Sequence, residues 1–151
     1  MKYIILEIIP TSLYPEKGEV IQLSALKIND LNLIDRFDYR IIDEKIPLDS
    51  LKELISYDRD KFVYKETSKE IMDDFEAWVE DIPLLIIDNA YTENYLKNLN
   101  NSRESIFKHL NMEYYDEVID DIIKKYNLQA SDYIVDLLYE ALIYESNNKN
   151  S

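Results

Sequence analysis

The sequence predicts a mixed α/β domain, a sheet with antiparallel and parallel neighbours flanked by helices. Three observations carry this reading. Three apolar or alternating segments fill the first 42 residues with only short turns between them. A helical apolar period takes over after residue 67. A further short apolar run then leads back into helical patterns. A strand meander followed by helix, strand and helices is the order expected of a mixed sheet.

Tyr3-Ile4-Ile5-Leu6-Glu7-Ile8-Ile9 is an apolar run with a single charge. Its length and β-branched content suit a strand buried on both faces. Pro10 closes it, and residues 11–18, with Pro15 and the only glycine, Gly18, read as a turn. Residues 19–28 form a second strand. Residues 33–42 form a third, where Phe37, Tyr39 and Ile41 alternate with Asp38 and Arg40, the period of a half-exposed antiparallel strand. Residues 48–56 suit a short helix. Thr67-Ser68-Lys69-Glu70 has the spacing of a capping box, and Ile71, Met72, Phe75, Trp78 and Val79 follow at helical spacing. Pro83-Leu84-Leu85-Ile86-Ile87 is a short buried strand ended by Asp88-Asn89, and the pattern turns helical again from Thr92. Val118, Ile119, Ile122, Ile123 and Tyr126 mark one further helix, and Ile134, Val135, Leu137, Leu138, Ala141 and Leu142 mark the last. Residues 1–145 read as one domain and residues 146–151 as a flexible polar tail. Ribonuclease-H-like folds are built in this order, with three antiparallel strands, then helices alternating with further strands; other mixed α/β folds share the periodicity.

Composition removes several function classes. One glycine in 151 residues excludes a Walker phosphate loop and the three-glycine dinucleotide fingerprint. The absence of cysteine excludes disulfide frameworks, zinc ribbons and cysteine nucleophiles. His109 is the only histidine, so a two-histidine metal helix is impossible. No apolar run approaches the ~18 residues of a membrane span and no secretory signal is visible, so a cytoplasmic protein is expected. The net charge of −14 repels a phosphate backbone unless cations or a basic patch intervene, which makes a basic protein partner the expectation rather than direct contact with nucleic acid. The acidic clusters Asp73-Asp74, Glu80-Asp81 and Asp116-Glu117 with Asp120-Asp121 read as solvated helix faces, or as a phosphate-mimicking surface. The 13 tyrosines fit mainly core edges.

Residues 3–28, from the apolar strand through Tyr14-Pro15-Glu16-Lys17-Gly18-Glu19-Val20-Ile21-Gln22-Leu23-Ser24-Ala25, resemble the opening of the DEDD-type 3′–5′ exonucleases, proofreading-subunit-like members of the ribonuclease-H-like superfamily. Ile46-Pro47-Leu48 with Leu51-Lys52-Glu53-Leu54 resembles the segment leading to that family's Thr-Gly-Ile loop. Phe75-Glu76-Ala77-Trp78, then Ile82-Pro83-Leu84-Leu85-Ile86-Ile87-Asp88-Asn89-Ala90, is similar to the helix and strand that lead into its His-Asn-Ala-x-Phe-Asp motif. The resemblance implies a ribonuclease-H-like sheet and a site in which four carboxylates hold two Mg²⁺ or Mn²⁺ ions that activate water and stabilise charge on a phosphodiester.

Residue by residue, the chain departs from that pattern. Aligned on Pro15-Glu16-Lys17-Gly18, Glu7 stands where the first Asp belongs and Ile9 where the Glu belongs; a slip of two residues makes Glu7 the Glu and Ile5 the missing Asp. Either way one carboxylate of the first strand is lost. Pro10-Thr11-Ser12 replaces Thr-Thr-Gly, and Ile55-Ser56-Tyr57 replaces the nucleotide-contacting loop. Asp88 takes the histidine position and Glu93 the second-motif Asp. The last motif falls on residues 128–133 without its histidine and with Asp132 displaced by one position, and His109 lies well before it. Mg²⁺ demands near-ideal octahedral geometry, and misplacement of about an ångström costs about 10²-fold in rate.

The resemblance with these departures implies a degenerate relative with a binding or regulatory role and no expected cofactor. The remnants are Glu7, Asp88, Glu93 and Asp132, of which Glu7, Glu93 and Asp132 could hold one metal. Two rivals stand beside it. One is an active, divergent Mg²⁺- or Mn²⁺-dependent exonuclease on DNA or RNA, with Asp88 or Asp136 as a further donor. The other is an acidic nucleic-acid mimic that inhibits a basic partner. Without a ligand, Glu7 would sit at a sheet edge or pair with a lysine or arginine, because a buried carboxylate is otherwise costly. Asp88 would then start a turn, and Glu93 and Asp132 would be helix-face or cap residues.

Overall fold

The computed structural model describes residues 1–10, 12–18, 20–40, 68–87, 91–110, 124 and 134–149. The helices expected at residues 48–56 and around residues 118–126 lie outside them. Strand β1 (Lys2–Pro10) is followed by a 3-10 turn (Pro15–Lys17), β2 (Val20–Asn29) and β3 (Asn32–Arg40). Helix α1 (Ser68–Val79), β4 (Leu84–Ile86), α2 (Thr92–Leu96), β5 (Arg103–Ser105), α3 (Ile106–Leu110) and α4 (Ile134–Lys149) complete the order. The sheet runs β3-β2-β1-β4-β5. β1 is antiparallel to β2 and parallel to β4, and β2 to β3 is antiparallel. This is the mixed sheet of a ribonuclease-H-like fold, with the meander and the most apolar strand at its centre as the sequence predicts.

The centre is where such a strand belongs, because both of its faces are covered. Ile4, Leu6 and Ile8 point to one face, where Ile71, Phe75 and Val79 of α1 and Tyr95 and Leu96 of α2 pack. Ile5 points to the other, against Phe107 and Leu110 of α3 and Val135, Leu138 and Ala141 of α4. Positions 71, 75 and 79 share one stripe of α1.

Two boundaries and one whole strand differ from the sequence reading. β1 includes Pro10, with a register shift at Ile9/Pro10 where the ring removes a ladder donor. β5 has no sequence signal: Arg-Glu-Ser is three polar residues at a sheet edge, paired parallel to β4. α4 continues through residues 146–149 because no glycine or proline follows Leu142 in that stretch.

The β2–β3 connection needs two left-handed residues, Asp30 (φ 50°) and Leu31 (φ 70°). The α-ammonium group of Met1 pairs with Asp30, and the Tyr139 hydroxyl donates to the Leu31 carbonyl at 2.7 Å. These contacts hold a conformation that leucine rarely adopts.

Gly18 has extended backbone (φ −137°), so its necessity is spatial. A Cβ there would stand 2.7 Å from Ser12 Cβ, 2.9 Å from Ser12 N and 2.9 Å from the Tyr95 hydroxyl. That hydroxyl donates to the Ser12 carbonyl at 2.9 Å and ties the turn to α2. Gly18→Ala is expected to destabilise by about 1 kcal/mol, the lower end of overpacking costs because a turn yields more than a core. Chemical denaturation measures it.

Trp78 closes the end of α1 against the meander. Its indole Nε1–H donates to Asp35 Oδ2 at 2.9 Å, and Lys27 Nζ lies 4.4 Å from the ring centroid while donating to the Trp78 carbonyl at 2.7 Å. The indole bond, then the Arg36 backbone N–H, hold the Asp35 carboxyl below its ordinary value of 3.8. A lowered folded value means a contribution present above pH 3.8 and lost as pH falls through the folded value. Trp78 is the only tryptophan, so its fluorescence is expected to change below pH 3.8, and Asp35→Asn is expected to remove that transition.

Candidate functional site

Side chains two apart on a strand share a face. Glu7 and Ile9 therefore lie on the face of Ile5, the one that α4 covers. Directly opposed residues of antiparallel strands share a face as well. Glu7 is opposite Ser24, Ser24 opposite Asp38, and Ile9 opposite Gln22. Glu7, Ser24 and Asp38 thus form one row across β1, β2 and β3.

Glu7 is 4% exposed, and Gln22, also buried, donates from Nε2 to Glu7 Oε1 at 2.9 Å. Glu7 is in the central strand, which overturns the edge position considered for it, and its described hydrogen-bond partner is an amide. A carboxylate that keeps such a bond inside a sheet is less costly than a bare one.

The outer end of the row is charged. Arg36 Nε donates to Asp38 Oδ2 at 2.7 Å, and its Nη1 and Nη2 donate to Asp136 Oδ1 and Oδ2 at 2.9 and 3.2 Å. Partial burial pulls the guanidinium pKa down, but the hydrogen bonds to Asp136 and Asp38 outweigh it and hold it above the ordinary value. The bidentate pair fastens α4 to β3. Asp136, weighed above as a further metal donor, is engaged there.

Glu93 lies on α2, whose Tyr95 and Leu96 belong to the opposite core. Its Oε2 pairs with Arg103 Nε at 3.3 Å. Arg103 also donates to the Leu96, Leu99 and Asn101 carbonyls, so Glu93 backs a guanidinium that caps the end of α2. Asp88 and Asp132 lie outside the described residues. His109 Nε2 contacts Glu104 Oε2 at 2.6 Å and its ring packs on Tyr3, four residues before Glu7, apart from the row.

A cavity of about 290 Å³ opens on the other face, between α1, α2 and the 3-10 turn, with Val20, Met72 and Tyr95 in its lining and Lys69, Asp73 and Lys97 beside them. Neither it nor the Ser24–Asp38 part of the row is visible in the sequence, since each depends on which elements become neighbours.

Comparison with solved structures places this architecture. Product-bound exonuclease I superposes with a TM-score of 0.60 at 14% identity, over 97% of this chain and 42% of that one. Exonuclease X in complex with 5′-overhanging duplex DNA gives 0.60 at 8% identity, over 99% of this chain and 92% of that one. The fold is that of the DEDD-type 3′–5′ exonucleases. E. coli exonuclease I in complex with a dA16 oligonucleotide gives 0.56 at 13% identity, over 98% and 41%. The chain therefore spans about two-fifths of the exonuclease I chains and nearly all of exonuclease X. No protein-family model and no curated protein matches the sequence.

Within this exonuclease fold, the first strand offers one carboxylate where the resemblance calls for two. Ile9 and Ile5, the candidate positions for the second, share the face of Glu7 and carry no oxygen donor. Among the described residues no three His, Cys, Asp or Glu side chains gather into a metal-holding group. Two hard cations need an oxygen-rich cage. The described donors on this face do not fit such a pair. No helix among the described residues is long and apolar enough to cross a membrane.

Proposed function

We propose that this protein is a catalytically degenerate relative of the DEDD exonucleases that acts by binding a partner rather than by cleaving nucleic acid. The observation that carries the reading is the pairing of Glu7 with Ile9 on the site-facing side of the central strand: one buried, hydrogen-bonded carboxylate beside a hydrocarbon. Loss of one ligand removes a large part of the electrostatic stabilisation that two-cation hydrolysis depends on. Asp88 at the histidine position supplies no imidazole to orient a water.

The partner that best suits a net charge of −14 is a basic protein surface, in a cytoplasmic setting. The acidic helix faces favour one version of this, a decoy that occupies a nucleic-acid-binding protein.

The test is a gel assay of the full chain on 5′-labelled single-stranded DNA and RNA, with Mg²⁺, with Mn²⁺ and with chelator. No chelator-sensitive 3′ trimming is expected. Trimming that disappears both with chelator and in Glu7→Ala would establish the active exonuclease instead.

A further inference from the structure

Ser24 is fully buried, and its Oγ has no hydrogen-bond partner. Directly opposite it on β3, Asp38 gives one oxygen to Arg36, while the other, Oδ1, is also buried and also without a hydrogen bond. Directly opposite on β1 is the buried carboxylate of Glu7. Two orphaned oxygens, one of them on a carboxylate, thus sit side by side in a row that a second carboxylate completes. Buried polar atoms are nearly always satisfied, and an orphan of this kind marks a place for an ordered water or an ion.

We propose that the Glu7–Ser24–Asp38 row holds a single hard divalent cation. The donors are all oxygen, two carboxylates and a hydroxyl, the set that Ca²⁺, Mg²⁺ and Mn²⁺ prefer. Arg36 is shared between Asp38 and Asp136, so the charge on Asp38 is only partly offset. The span also suits an ion. Strands β1 and β3 lie about 10 Å apart across β2. One glutamate arm and one aspartate arm reaching over a short serine can close that gap to cation–oxygen distances of about 2.3–2.6 Å.

Ser24 and Asp38 belong to neither the first-strand pair nor the later motifs of the carboxylate set that the exonuclease resemblance implies, and Glu7 alone is common to that set and this row. The site lies in the sheet, beneath α4, and its role is to tie the three strands of the meander together. Its test reads ion binding through Ser24 and Asp38, and so its failure is distinguishable from failure of the non-cleaving reading.

The experiment is a calorimetric titration of the chelator-treated full chain with CaCl₂ and, separately, MnCl₂, on wild type, Ser24→Ala, Asp38→Asn and the surface control Asp73→Asn. One saturable site per chain is expected for at least one ion. It is expected to weaken at least tenfold in Ser24→Ala and in Asp38→Asn, and to be unchanged in Asp73→Asn. Ser24→Ala removes one oxygen and adds nothing, so it keeps the test decisive if Asp38→Asn unfolds. The thermal midpoint of wild type is expected to rise with the ion and that of Ser24→Ala to rise less. No saturable binding, or binding equal in wild type and Ser24→Ala, overturns the proposal: the first leaves an ordered water as the occupant, the second an acidic surface collecting ions without a site.

Discussion

Phe75→Ala is expected to destabilise the protein by about 3–5 kcal/mol. Phe75 is fully buried in the middle of the apolar stripe of α1. Its ring meets Phe37 of β3 edge-to-face at a centroid distance of 5.3 Å and stacks near Trp78 at 6.1 Å. Truncation removes both ring contacts and leaves a void between helix and sheet, where neither element can move in without breaking its own hydrogen bonds. For a chain of this size the midpoint of thermal unfolding is expected to fall by roughly 10 °C. Phe75→Leu keeps most of the volume and is expected to recover more than half of the loss. An equal cost for Leu and Ala would show that the site collapses rather than leaving a void.

Glu7→Leu is expected to cost about 1–3 kcal/mol, and Glu7→Leu/Gln22→Leu to return to within about 1 kcal/mol of the wild type or above it. The single change removes the acceptor of the buried Gln22 Nε2 hydrogen bond. The double change replaces both polar partners by side chains that suit a central strand. Equilibrium denaturation of the two singles and the double forms the cycle. A double variant as stable as wild type means that Glu7 is not retained for stability and leaves ligand binding as its use. A double variant that stays destabilised by as much as the worse single, or more, would give the pair a structural role instead.

How legible the molecule was differs by level. The meander, the central position of residues 3–9 and the stripe of α1 could all be read from the chain, because each depends on local periodicity. β5 could not, because three polar residues at an edge carry no period; they pair only because β4 stands beside them. The candidate site was half legible. Glu7 was visible as a lone charge in an apolar run, and the missing second carboxylate at Ile9 or Ile5 was visible through the resemblance. Glu93 read as a possible ligand, yet on α2 it supports Arg103, a pairing 10 positions apart that no motif announces. The row formed by Glu7, Ser24 and Asp38 was invisible, since it depends on the register of two strand pairs.

The sequence by itself determined the three strands of the meander, β4 and the helix α1, that β1 is buried on both faces, and that the charge is −14. Those properties follow from side-chain size, polarity and spacing along a single stretch. Only the tertiary structure decided that Ser24 and Asp38 share a face with Glu7, that Asp136 is bonded to Arg36, and that Gly18 has no room for a Cβ. Each of these is a contact between residues distant in the chain or on different strands, set by strand register and helix placement, and neither is written into local composition.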